Sequence, residues 1–374
     1  MSERFRVLQV TPRYFPDSGG IETHVHNVST RLAAAGVDVT VLATDRSHRL
    51  ARGERVDGVS LRRVPAWPRG RDYYLAPGLW SAIGASGADL VHFQGVHTLV
   101  PLLGMQACLR QGIPYVLSLH TGGHSSQVRS RLRSAQWRLL APLLRRAERV
   151  IAVSRFEARL FTELARLDPA RVTVIRNGGT LPPGPPESTV DVRPLVVSVA
   201  RLERYKGHHR LIEAMPALLR AVPDARALIL GTGPYEASLR ALAGRLGVAD
   251  RVAIDYVPPG DRGRLGLILR EAGAVVLLSE YEAHPVAVME AVALHRPVLV
   301  TVNSGLAELV EEGLCRGVPD DATPDQIAGA LAATLTAPAA QPVPVRLPDW
   351  DQCAAAVLDV YRSVLPTAGR LAPR

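Results

Sequence analysis

The chain has 374 residues, 47% hydrophobic and 21% charged, enough apolar side chain to build cores and to exclude disorder as the main state. Its formal charge of +9 is uneven: residues 1–180 carry 25 basic and 13 acidic groups, residues 181–374 carry 19 and 22. A net +12 in one half and −3 in the other is unlike a basic tail or a uniformly cationic nucleic-acid packer.

At roughly 150 residues per domain the length predicts two domains. The N-terminal Glu3, Arg4 and Arg6 run directly into Val7-Leu8-Gln9-Val10, with no signal-peptide core and no membrane-length apolar run, so the expectation is a cytoplasmic protein. Cys108, Cys315 and Cys353 are odd in number and far apart, which predicts reduced thiols and no metal site.

In chain order, the first half offers strands at 6–10, 38–43, 59–64, 90–93, 114–120, 149–152 and 172–175, each followed by a loop or an amphipathic stretch. Thr180 to Pro194, rich in proline, reads as a linker. A second series follows at 195–199, 227–230, 252–255, 275–278 and 298–301, and a last amphipathic helix spans about 350–365. Short apolar runs alternating with helices predict an α/β protein of two doubly wound, Rossmann-like domains, 1–180 and 181–346, with a helix at about 347–367 returning to the first. Ligands of such sheets bind beyond the carboxyl ends of the strands, so the chemistry is expected in the interdomain cleft.

Five segments carry candidate chemistry. Gly19 and Gly20 follow the first strand and open a helix; they read either as a phosphate or sugar approach or as a tight turn with Glu22 complementing the helix dipole. Arg201 and Lys206 sit five apart after the first strand of the second half, a fork and a point charge suited to a diphosphate. Lys206 is the only lysine among 44 basic residues. The Gly231-x-Gly233 turn lacks the third glycine of a dinucleotide fingerprint, because Glu236 stands there.

Glu282 and Glu290, eight apart, fit carboxylates facing sugar and ribose hydroxyls; alternatively Glu280 and Glu282 only favour the helix N-terminus. The later Asn303-Ser304-Gly305 turn is another phosphate cradle. His120 ends a strand beside glycines, where it either donates to a sugar or packs in the core. Asp349-Trp350-Asp351 reads as a helix cap rather than a metal–diphosphate motif, and His24 and His26, two apart, do not pair on a metal.

Taken together, Gly19 to Glu22, Ile151 to Ser154, Val174 to Gly178, Arg201-x(4)-Lys206-Gly207, Gly231-x-Gly233-Pro234 and Glu282-x(7)-Glu290 resemble the family-4 retaining glycosyltransferases of the GT-B fold over nearly the whole chain. The resemblance implies that Arg201 and Lys206 hold the donor diphosphate, Glu290 the ribose and Glu282 the sugar hydroxyls, with His120 at the transferred sugar. It further implies a donor-binding set of Gly19, Gly20, Gly233, His284, Val286, Glu290, Ser304 and Gly305. No cofactor is implied, the UDP- or GDP-linked sugar being substrate, and the family is usually metal-independent. Two departures concern the sugar: Ala283-His284-Pro285 replaces Gly-Phe-Gly, and Ser304 replaces a glycine.

The resemblance places the acceptor on the first half, either a lipid-linked or cell-envelope glycan or a soluble natural product such as an aminocyclitol; a small soluble acceptor requires local carboxylates, for which Asp17 and Glu22 are the candidates. Residues 129–159 hold nine arginines and two glutamates. Arg131, Arg138, Arg145 and Arg149 on one stripe, opposite Leu132, Leu139, Leu143 and Val150, read either as a peripheral membrane contact or as a solvated face. The rivals are a nucleotide-sugar isomerase of the 2-epimerase type and a phosphorylase-like enzyme. Nucleic acid is not expected, since the arginine runs show no aromatic–basic interleaving pattern.

Overall fold

The computed structural model describes residues 5–17, 19–70, 74–96, 98–121, 137–179, 193–258, 260–336 and 348–368. Most of the sequence-predicted linker, together with Arg129, Arg131, Leu132 and Arg133, lies outside the described residues. These residues divide into two units: 5–121, 137–178 and 348–368 form one, and 179–336 the other.

The N-terminal unit holds β1 (Arg6–Thr11), β2 (Asp38–Asp45), β3 (Gly53–Val56), β4 (Val59–Pro65), β5 (Leu90–Gln94), β6 (Tyr115–Ser118), β7 (Arg149–Ala152) and β8 (Val172–Val174). The sheet order is β3-β4-β2-β1-β5-β6-β7-β8. All neighbours are parallel except β3 and β4, an antiparallel hairpin closed by Asp57-Gly58 with φ of 47° and 83°. Every residue of β5 is buried, as a central parallel strand covered on both faces requires.

Helices α1 (Gly20–Ala34), α2 (Gly78–Gly84), α3 (Leu99–Gln111), α4 (137–144) and α5 (Arg155–Leu164) accompany this sheet. Arg149 and Val150 belong to β7, so the predicted arginine stripe is not one continuous helical face. On α4, Leu139 is 82% exposed rather than packed inward.

The C-terminal unit has six parallel strands: β9 (Arg193–Val199), β10 (Arg226–Leu230), β11 (Val252–Asp255), β12 (Ala272–Leu277), β13 (Val298–Thr301) and β14 (Arg316–Val318). Their order is β11-β10-β9-β12-β13-β14. Arg193 and Pro194 start β9 and so are strand rather than linker. Helices α6 (His208–Ala221), α7 (Glu236–Arg245), α8 (Arg262–Glu271), α9 (Val286–Ala293), α10 (Ser304–Glu311) and α11 (Pro324–Thr336) connect them.

Helix α12 (Trp350–Ala368) packs within the N-terminal unit against α1. Trp350 and Tyr361 are buried, Arg31 Nε lies 2.5 Å from Asp351 Oδ1, and the Asp349 carboxylate caps the helix by accepting from Gln352 N at 2.7 Å. Gly178 makes this docking close: a Cβ there would stand 2.5 Å from Trp350 N.

Candidate active site

In the C-terminal sheet the chain runs from β9 to β10 on one side and from β12 to β13 on the other, so the strand order reverses between β9 and β12. That is the topological switch point, where connections diverge and leave a crevice at the strand ends. Lys206 follows β9 and Glu282 follows β12, and the fold brings them together, Nζ to Oε1 at 2.5 Å, with side chains only 14% and 8% exposed.

Burial opposes the ammonium charge of Lys206, but the Glu282 carboxylate outweighs it and holds the group above the usual lysine range. Ser279 Oγ donates to the same Glu282 oxygen at 2.8 Å. Ser304, at φ 44°, accepts from Glu282 N at 2.9 Å, and Gly305 N donates to Glu282 O at 2.8 Å.

Glycines allow these loops to meet. Gly207, at φ 75°, closes the turn after Lys206, and a Cβ there would lie 2.0 Å from Leu278 O. A Cβ on Gly305 would lie 1.8 Å from Ala283 O, and one on Gly233 2.4 Å from Leu202 O. Gly233 thus seats the turn after β10 on the Arg201–Lys206 loop, a packing demand. Arg201 is half-exposed beside Glu203 at 2.9 Å and donates to Tyr205 Oη at 3.1 Å.

Glu290 lies buried on α9, its acidity weakened by burial against the pull of its ion-pair partner Arg262. His284 and Val286, also buried, precede and open that helix.

The N-terminal sheet reverses in the same way between β1 and β5. Gly19 and Gly20 follow β1. A Cβ on Gly20 would meet open space, whereas one on Gly19 would collide with Glu22 Oε2 at 2.5 Å. Glu22 therefore folds back over its own helix start, and Asp17, half-exposed, stands 3.7 Å from Arg46. His120, at φ 46°, is buried with Nε2 2.8 Å from Gln94 Oε1, and its ring meets that of His24 edge-on at 4.4 Å.

His24 in turn bonds Asn177 Oδ1 through Nδ1 at 2.8 Å. Behind them Gln94 donates to Gln9 Oε1 at 2.8 Å, and His92 bridges Tyr361 Oη at 2.6 Å and Ser118 Oγ at 2.8 Å. Desolvation pushes His24 down to about 4 and His92 to about 3, so these two imidazoles are neutral at pH 7.

Sequence reasoning missed this network and the Glu157 carboxylate below it. Glu157 accepts from Thr121 N at 2.6 Å, Thr121 Oγ1 at 2.7 Å and Val153 N at 2.8 Å, fixing the segment beside His120. Its local signal was present, since Ser154-x-x-Glu157 is a capping-box pattern and Ser154 Oγ does accept from Glu157 N at 3.2 Å. The carboxylate's tie to Thr121, 36 residues away, has no local signature.

Comparison with known proteins follows the same division. Residues 18–179 match the model of Glycosyltransferase Family 4, and residues 186–343 that of Glycosyl transferases group 1. A D-inositol 3-phosphate glycosyltransferase of Nocardiopsis dassonvillei is 31% identical, covering 96% of this chain and 92% of the relative. A glycogen synthase of Mycobacterium tuberculosis is 30% identical, over 95% and 94%.

Among solved structures, the sucrose-phosphate synthase of Thermosynechococcus elongatus superposes with a TM-score of 0.75 at 21% identity, over 97% of this chain and 100% of the other. HepE of Anabaena, determined with UDP and glucose, gives 0.75 at 19% identity, over 96% and 100%. With both halves of the chain matched and two Rossmann-like units in place, this protein belongs to the family-4 glycosyltransferases of the GT-B fold.

Proposed function

We propose that the chain is a retaining glycosyltransferase that moves a sugar from a UDP- or GDP-linked donor to a hydroxyl acceptor. The carrying observation is the buried Lys206–Glu282 pair at the switch point of the C-terminal sheet. When donor arrives, Lys206 and Arg201 meet the diphosphate and stabilise the charge that grows as it leaves, while Glu282 is released to bond sugar hydroxyls. Glu290 holds the ribose, and the loop of Ser304 and Gly305 offers backbone N–H groups to phosphate. Arginine and lysine supply the neutralisation that a divalent cation supplies elsewhere, so no metal or other cofactor takes part.

Retention follows if the acceptor oxygen bonds the anomeric carbon on the face from which the diphosphate departs. The departing phosphate oxygen then accepts the acceptor's proton, and Lys206 stabilises the leaving dianion. His120, fixed by Gln94, bonds the transferred sugar, and Asp17 and Glu22 belong to the acceptor side.

The acceptor is a polyol or glycan hydroxyl. The Nocardiopsis relative is named for D-inositol 3-phosphate, and a relative from Xanthomonas oryzae for a cellobiosyl-diphosphopolyprenol, so both soluble and lipid-linked acceptors belong in the screen. A peripheral membrane contact draws support from the 82% exposure of Leu139 beside exposed Arg138. Among the described residues no helix is long and apolar enough to cross a membrane.

The test is turnover of a nucleotide-sugar panel with and without chelator. Sugar transfer unaffected by EDTA supports the reading; an epimerised donor formed without acceptor replaces it with the isomerase. Co-sedimentation with anionic liposomes at low and high salt decides the membrane contact.

A further inference from the structure

A cavity of about 320 Å³ opens wholly within the N-terminal unit, at the carboxyl end of β2 and β4. That volume suits a small molecule. Its wall combines Trp67, 52% exposed, with three arginines and one carboxylate. The charges are not equivalent. Arg63 is buried and satisfied, its guanidinium 2.5 Å from Glu54 Oε1 and donating to Ala51 O and Phe15 O. Asp45 is turned into its own loop, accepting from Ser47 N, Ser47 Oγ and Leu50 N, and these bonds hold its acidity above normal.

Two cations are left facing the space. The Arg52 side chain is exposed and has no carboxylate or hydrogen-bond partner among the described residues. Arg69 is held from behind: its Nε donates to His48 Nδ1 at 3.0 Å while its guanidinium lies over the Trp67 ring at 5.4 Å. His48 Nε2 bonds Ala66 O at 2.7 Å, which requires the proton on Nε2 and leaves Nδ1 to accept from Arg69. His48 adopts φ 59°, a left-handed conformation uncommon for a side-chain-bearing residue, and its ring abuts Trp67 edge-on at 4.2 Å. The guanidinium is thus pre-oriented, and its terminal amino groups are without protein partners among the described residues.

A fixed guanidinium, an unpaired second one and a half-open indole form a site for an anion attached to a ring or polyol. We propose that this cavity binds a phosphate ester of a polyhydroxylated molecule, Arg52 and Arg69 taking the phosphate oxygens and Trp67 the carbon skeleton. Resting on the transfer reaction proposed above, this ligand is the acceptor. Arg63 also ties the cavity wall to the β1–α1 loop through Phe15 O, so the cavity borders the loop that leads to Gly20.

The probes are glucose 6-phosphate and sn-glycerol 3-phosphate, their neutral parents glucose and glycerol, and vesicles containing phosphatidylglycerol. Indole fluorescence and calorimetry follow binding to the full chain. The expected result is saturable binding of the esters, at least tenfold tighter than of the neutral parents, and at least tenfold weaker in R52A/R69A. Both arginines are exposed, so melting and UDP or GDP affinity are unchanged in that variant. Vesicle binding lost in the same variant assigns the phosphate to a lipid headgroup; ester binding without vesicle binding assigns it to a soluble acceptor. Equal binding of esters and neutral parents, an unaffected double variant, or binding to neither probe overturns the site. Nucleotide-sugar binding by thermal shift reads the proposed transfer separately, so failure of one reading leaves the other standing.

Discussion

Lys206 Nζ stands 2.5 Å from Glu282 Oε1, two residues 76 apart in sequence joined behind the ends of β9 and β12. A buried ion pair is weak evidence for stability, because desolving both charges offsets most of their attraction. Its value here is that the Glu282 carboxylate keeps the Lys206 ammonium charged at the ends of the strands. Replacing Lys206 by Ala should lower turnover about a hundredfold, on the order of 3 kcal/mol in the barrier. It should also lower the melting temperature, since Glu282 is left buried without its cation. K206M/E282Q should recover most of the melting temperature and none of the turnover. Recovery of both would make the pair structural only.

Two glycines separate ligand approach from packing. Gly207→Ala puts a Cβ against Leu278 O in a left-handed residue and should destabilise the chain by roughly 2–4 kcal/mol in chemical denaturation. Gly20→Ala meets open space at the start of α1, so the fold should be unchanged while the KM for donor rises severalfold. An unchanged KM would reduce Gly20 to a turn residue.

The buried histidines set a pH dependence. His24 is held at about 4, His92 at about 3 and His208 at about 4, each chiefly by desolvation. Against an unfolded value near 6.5, the unfolded chain binds more protons as pH falls below that point, so stability rises with pH through the acid range and is full above about 6.5. Each group contributes on the order of 3 kcal/mol, lost as pH drops from about 6.5 towards 4. Urea midpoints at pH 7.5, 6 and 5 should decline, and His92→Asn should flatten the decline. A midpoint independent of pH would contradict the neutral burial of these three histidines.

Much of this was legible in the sequence where the signal is local. The short, largely apolar runs of β1 and β9, the glycines opening α1 and α10, and the proximity of Arg201 and Lys206 to a strand end all follow from residue type and spacing. The hairpin of β3 and β4 also had its signature, Asp57-Gly58, but its first strand is half arginine and glutamate and is exposed, so no apolar pattern marks it. What spacing could not supply were the partners. Glu282 and Glu290 share a motif, yet one pairs with Lys206 from β9's loop and the other with Arg262 from α8. Likewise His120 is positioned by Gln94 and flanked by His24, which sheet order brings near and sequence distance hides.

Retaining transfer from a nucleoside-diphosphate sugar is tested most directly by proton NMR of the product formed with an α-linked donor and acceptor. The account predicts a new glycoside whose anomeric coupling keeps the α configuration, formed by the wild type and about a hundredfold slower by K206A. A β-linked product, or the same rate from K206A, would contradict it.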